Sequence, residues 1–173
     1  LVGISKVSVQ TGTSHGGVPM PDGTIAKIKL DFTVLESIGR VAREKYHIGG
    51  SVQHGASTLP NDLFDTFPKM KTLEIHLATG FQNIVYEHLP ESLKKEMYEW
   101  IKVHCSEERK EGQTEEQFIY TCRKKALGPF KQKLWQLSDA EKEPIRTQLY
   151  SQFSFLMDKL HVFDTTDIIK KYI

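Results

Sequence analysis

Apolar positions along this chain change their period partway through. In the first 80 residues, short apolar and β-branched runs near residues 5 to 10, 50 to 53 and 72 to 76 read as strands. Between the first two, Val34, Leu35, Ile38, Val41, Ala42 and Tyr46 recur at helical spacing. Thr33 and Glu36 stand at capping-box spacing at the start of that helix, and Gly49-Gly50 closes it and opens the second strand. A shorter helix fits Asn61 to Phe67, with Pro68 as its stop. Strand, helix, strand, short helix, strand predicts a parallel α/β arrangement, because parallel neighbours need a crossover that returns the chain to the same edge.

From about residue 81 the strands vanish, charges rise and amphipathic helices follow one another. Leu93, Met97, Trp100, Ile101 and His104 share one helical face, and Thr114 with Gln117 caps a segment buried through Phe118, Ile119 and Cys122. Ser138 with Glu141 makes a second capping box. Beyond it Ile145, Leu149, Phe153, Leu156, Met157 and Leu160 form an apolar stripe that Pro144 is expected to kink or split. The charged run from Ser106 to Glu116 reads as a solvated linker or helix end. The expected division is 1–89 for the strand-bearing part and 90–173 for a helical extension that packs on it or on a dimer partner.

With 23 basic and 22 acidic residues and no basic stripe interleaved with aromatics, nucleic acid is not an expected partner. No apolar run approaches the ~18 residues that cross a bilayer, and no basic segment leads into an apolar signal core, so no membrane partner is expected. The two cysteines, Cys105 and Cys122, lack metal-ligand spacing and are too few for a disulfide framework, which points to a reducing, cytoplasmic setting. The chain opens Leu1-Val2-Gly3-Ile4 without a methionine and reads as part of something longer.

Three successive strand ends carry an imidazole beside small, hydrogen-bonding residues: Gly12-Thr13-Ser14-His15-Gly16, His54-Gly55-Ala56-Ser57 and His76-Leu77-Ala78-Thr79-Gly80. In α/β barrels chemistry gathers at the C-terminal ends of strands. Neutral imidazoles from neighbouring strands can share a zinc ion, while Gly16 and Gly55 let the backbone approach a ligand. The Ser57 hydroxyl, the amides of Gly55, Ala56 and Ser57, and those near Ala78 and Thr79 could surround phosphate oxygens at helix beginnings. A single histidine at a strand end is more often an ordinary loop residue; three in register are harder to dismiss. His47, His88, His104 and His161 lack comparable surroundings and read as surface or core residues.

In order and content these segments resemble the class II, metal-dependent ketose-bisphosphate aldolases. Gly12-Thr13-Ser14-His15-Gly16 is similar to the family's metal-binding HG segment, and Lys29-Leu30-Asp31-Phe32 to the stretch that follows it. His54-Gly55-Ala56-Ser57 resembles its HGAS or HGGS segment, and Ile75-His76-Leu77-Ala78-Thr79 its INVAT or NIDT segment. The likeness is strong over residues 5 to 86 and general in the helical tail. It implies the C-terminal part of a (β/α)8 TIM barrel, strands six to eight, followed by a helical tail. It also implies cleavage of a ketose 1,6-bisphosphate, fructose 1,6-bisphosphate first and tagatose 1,6-bisphosphate next, in glycolysis or related carbohydrate metabolism.

By that likeness His15 and His54 are zinc ligands, with another divalent metal as the alternative and a monovalent cation as a companion. Gly16, Gly55, Ala56, Ser57, His76, Leu77, Ala78 and Thr79 line the phosphate and dihydroxyacetone end. The acid/base aspartate and the third zinc histidine belong to an earlier strand end, so the N-terminal half of the barrel is an implied partner, the isolated chain is expected to be inactive, and a homodimer or higher homo-oligomer is implied. Two positions depart from the family: His76 replaces an asparagine, and Thr58 stands where a glycine often follows the serine. Two other readings compete. One is a non-catalytic, aldolase-like protein that binds metal and sugar phosphate; the other is a protein that works through its helical tail.

Overall fold

The computed structural model describes residues 3–13, 17–21, 24, 26 and 30–172. Strand β1 (Val7–Val9) leads through a long loop to helix α1 (Phe32–Tyr46), strand β2 (Ser51–Gln53), two 3-10 turns, helix α2 (Thr66–Lys69) and strand β3 (Glu74–Ile75). The strands pair in parallel in the order β1-β2-β3, with Val7 opposite Ser51, Val9 opposite Gln53 and Gln53 opposite Ile75. The chain is therefore mixed α/β around a small parallel sheet, as the alternating pattern predicts.

Local details differ from the sequence reading in instructive ways. Asp31, not Thr33, caps α1: its carboxylate accepts hydrogen bonds from the Thr33 backbone N–H (3.0 Å) and hydroxyl (2.6 Å). Phe32 is thereby included in the helix, where its ring meets Phe67 edge-on at 5.2 Å. His47, rather than the glycine pair, takes the left-handed position that ends α1 (φ 54°), and its N–H bonds the Ala42 carbonyl. Pro68 lies inside α2 instead of stopping a helix before it. Of the apolar stripe on α1, Leu35 and Ala42 are buried, whereas Ile38, Val41 and Tyr46 are exposed and line an apolar groove with Ile4 and Val7 beside β1.

Helix α3 (Thr79–His88) follows β3 and opens the helical half, which continues as α4 (Glu91–His104), α5 (Glu115–Cys122), α6 (Lys131–Trp135), α7 (Asp139–Lys159) and α8 (Thr166–Ile169). Both expected capping boxes form, at Thr114/Gln117 and Ser138/Glu141. Pro144 sits within α7 without splitting it. The stripe on α7 is mostly not core: only Leu156 is buried, and Phe153 and Met157 are exposed.

Two apolar clusters form. One joins Val9, Leu35, Ala56, Leu59, Phe64, Phe67 and the distant Leu156; the other joins Tyr86, Leu89, Leu93, Met97, Ile101, Phe118, Cys122 and Phe130. Leu156 and the stack of Phe153 on Phe81 (4.7 Å) bring α7 back onto α3 and the sheet side of the molecule. Among the described residues no helix is long and apolar enough to cross a membrane.

Candidate functional site at the strand ends

Side chains alternate between the faces of a sheet, and the register sorts these strands into two unlike faces. Val7, Val9, Ser51 and Ile75 point toward α1 and the core, and the Ser51 hydroxyl donates to the Leu35 carbonyl in α1 at 2.9 Å. The opposite face carries Lys6, Ser8, Val52 and Glu74. Lys6 pairs with one Glu74 oxygen, and the His76 ring Nε2 hydrogen-bonds the other. The Lys6 ammonium first, and His76 second, hold the Glu74 carboxyl below its ordinary value of 4.5.

Continuing the pairing of Gln53 with Ile75 by one residue places His54 beside His76. Their ring centroids are 4.2 Å apart, with planes tilted by 49°. With Glu74 accepting from Nε2–H, the lone pair of His76 is left on Nδ1. Two imidazoles this close, one backed by a carboxylate, are a donor set that suits zinc. His15 and Gly16 lie outside the described residues, as does Lys29 of the intervening segment.

His54 is positioned by polar groups that the sequence reading did not single out. Gln53 is fully buried; its carbonyl oxygen accepts from the Thr11 hydroxyl (2.8 Å), and its amide donates to Thr13 Oγ1 (3.0 Å) and to the His54 carbonyl. Thr13 Oγ1 in turn donates to the same His54 carbonyl at 2.8 Å. This network ties the segment just before His15 to the backbone of His54, and both threonines are buried. The available signal was a glutamine in the short strand expected between two others, a strand whose three positions all prove buried. An unpaired amide there would be costly, so polar partners had to be near.

His54, Gly55, Ser57, Ile75, His76, Leu77, Ala78 and Thr79 line a cleft of about 470 Å³. Six of the eight residues expected at the phosphate end are thus brought together. Ala56 is not: its side chain has 0% exposure and belongs to the core. Gly55 adopts the left-handed conformation (φ 71°), which turns the chain from β2 into the Ala56–Thr58 turn at no steric cost.

Ser57 Oγ accepts the Ala78 N–H at 2.8 Å, so that amide is already engaged, while the serine O–H remains able to donate. A Cβ on Gly80 would stand 3.0 Å from the Ser57 carbonyl oxygen, so the start of α3 presses directly against the turn. No side chain caps α3, which leaves its first backbone N–H groups directed at the cleft end with the positive end of the helix dipole. Thr58, the departure from the glycine pattern, keeps a buried hydroxyl without a partner among the described residues.

Cys105 and Cys122 also come together, although 17 positions separate them in sequence. Both are buried, and their sulfurs and a Glu108 carboxylate oxygen all lie within 4.8 Å of one another. The cysteines lack metal-ligand spacing along the chain, yet the fold brings them together in space. No family model matches the sequence, and neither a curated protein nor a solved structure matches it.

Proposed function

We propose that this chain is the C-terminal part of a (β/α)8 barrel and contributes the metal and phosphate ends of a class II aldolase site for a ketose 1,6-bisphosphate. The observation that carries the reading is the cleft in which His54 and His76 stand side by side while the β2 turn and the α3 start meet through Ser57 and Ala78. The charged face of the sheet supports it too. Lys6, Glu74 and His76 make a polar row on the side that a closed barrel would turn inward, with α1 on the other side. Beside β1, the apolar groove lined by Ile4, Val7, Ile38, Val41 and Tyr46 offers a surface for the preceding strand and helix.

In this reading His54, with His15, holds the metal, and the Gln53–Thr11–Thr13 network sets the orientation of both loops. When bound, a zinc ion would polarise the ketose carbonyl as a Lewis acid. Ser57 donates its hydroxyl to a phosphate oxygen, and the free amides of α3 offer further donors to the same anion. The proton-transferring residue comes from the N-terminal half, with fructose 1,6-bisphosphate as the first substrate to try.

The test is metal content and cleavage in the intact parent chain, before and after chelation. Activity lost with chelator and restored by zinc, and lost in His54→Ala, supports the proposal. Full cleavage by His54→Ala, or cleavage indifferent to chelation, overturns it. The engagement of His76 with Glu74 and His54, where the family has asparagine, favours a second reading, a non-catalytic sugar-phosphate and metal binder. Normal ligand binding without cleavage, unrescued by His76→Asn, would select that reading.

A further inference from the structure

The second half of the molecule carries its own cluster of metal-ligating side chains, far from the strand ends in sequence. Cys105 ends α4, Glu108 closes the 3-10 turn Ser106–Glu108 that follows, and Cys122 is the last residue of α5. The two cysteines are 4% and 1% exposed and form part of the helical core, whereas the Glu108 side chain is 47% exposed at its rim. The three ligand atoms lie within 4.8 Å of one another. In a tetrahedral zinc site, with Zn–S near 2.3 Å, ligand atoms stand about 3.8 Å apart, so roughly 1 Å of contraction completes the set.

We propose that Cys105, Cys122 and Glu108 bind a divalent zinc ion, with water as the fourth ligand on the solvent side, and so fasten the end of α4 to the end of α5. Each thiol releases its proton to solvent as its sulfur takes the ion. The chemistry of the donors selects the metal: two soft thiolates with one carboxylate suit zinc and exclude magnesium or calcium. Charge fits as well. Two thiolates and a carboxylate exceed the charge of zinc by one, and Lys125, already paired with Glu108, supplies the balancing cation. The turn geometry is held in advance by the Glu108 N–H, which donates to the Cys105 carbonyl at 2.9 Å.

The experiment is a titration of the fully reduced chain with Co²⁺, followed by displacement with Zn²⁺. Expected is one ion with a thiolate-to-cobalt charge-transfer band in the near ultraviolet, bleached by zinc. That band should disappear in Cys105→Ser and in Cys122→Ser and persist in His54→Ala, since a histidine site produces no such band. Its survival in His54→Ala separates this site from the strand-end site, so either can fail alone. Because the cysteines are core residues, Glu108→Gln carries the test if the serine variants unfold; at its exposed position it should weaken binding by about tenfold or more. No thiolate band in the reduced chain, a band that persists in folded serine variants, or unchanged affinity in Glu108→Gln overturns the proposal.

Discussion

Gln53 is the residue on which the strand-end geometry turns. Its amide, itself fully buried, meets the buried Thr11 and Thr13 and the His54 carbonyl. Gln53→Leu keeps the volume but strips these groups of their partner, and should cost about 2 to 3 kcal/mol in urea unfolding. In the intact protein it should also weaken zinc binding; unchanged metal affinity would show that the network only fills space. Thr58 is the opposite case. Its buried, unpartnered hydroxyl predicts that Thr58→Val stabilises the chain by about 1 kcal/mol, read as a higher urea midpoint at constant slope.

Tyr86 gives a pH signature at the same scale. Burial pushes its hydroxyl, which donates to the Arg123 carbonyl at 2.6 Å, up to about 12 from an ordinary 10. The protonated form is the one the fold favours, so this contribution is present in full below pH 10 and disappears as the pH rises toward 12. Tyr86→Phe should therefore be less stable than wild type at neutral pH and draw level with it across that window in paired unfolding curves. A stability difference that stays constant through the window would contradict this account.

Among the elements, legibility followed how local the deciding interaction is. The boxes at Thr114/Gln117 and Ser138/Glu141 were readable because both partners lie within one turn. Thr33/Glu36 has the same spacing, yet α1 begins two residues earlier, because Asp31 is the better acceptor and Phe32 gains a ring contact on Phe67 far along the chain. Asp31→Ala should accordingly cost about 1 kcal/mol, and Thr33→Ala clearly less, since it removes only the hydroxyl bond. Equal losses would restore Thr33 as the cap.

The α7 stripe shows the other limit. Its spacing is helical, but which residue finds a core depends on where α3 and the sheet stand: only Leu156 is buried, while Leu160 and Ile145 pack partly buried against the two clusters. The histidine pair was half legible. The strand ends announced His54 and His76 in sequence, whereas their 4.2 Å contact depends on the register of β2 against β3. Nothing along the chain pairs Cys105 with Cys122, because two helices and the turn between them must pack before the sulfurs meet.

For the whole molecule, the telling fact is that the outer strands of the parallel sheet, β1 and β3, each pair on one side only among the described residues. Buried parallel strands ordinarily have both faces covered, and open edges invite pairing. Here the face away from α1 carries Lys6 and Glu74 around the buried Val52, while the flank of β1 against α1 is an apolar groove. If that groove receives the preceding strand and helix of a barrel, Ile38, which is 37% exposed, becomes an interface residue. Ile38→Lys should then change the stability of this chain alone by less than about 0.5 kcal/mol, as exposed substitutions do. When the preceding half is supplied as a separate chain, the same change should weaken association at least tenfold and reduce restored cleavage accordingly, because it places a charge among Val7, Val41 and Tyr46. Restoration equal to wild type would mean that the groove is not the surface on which the barrel closes, even if the strand-end site itself binds metal.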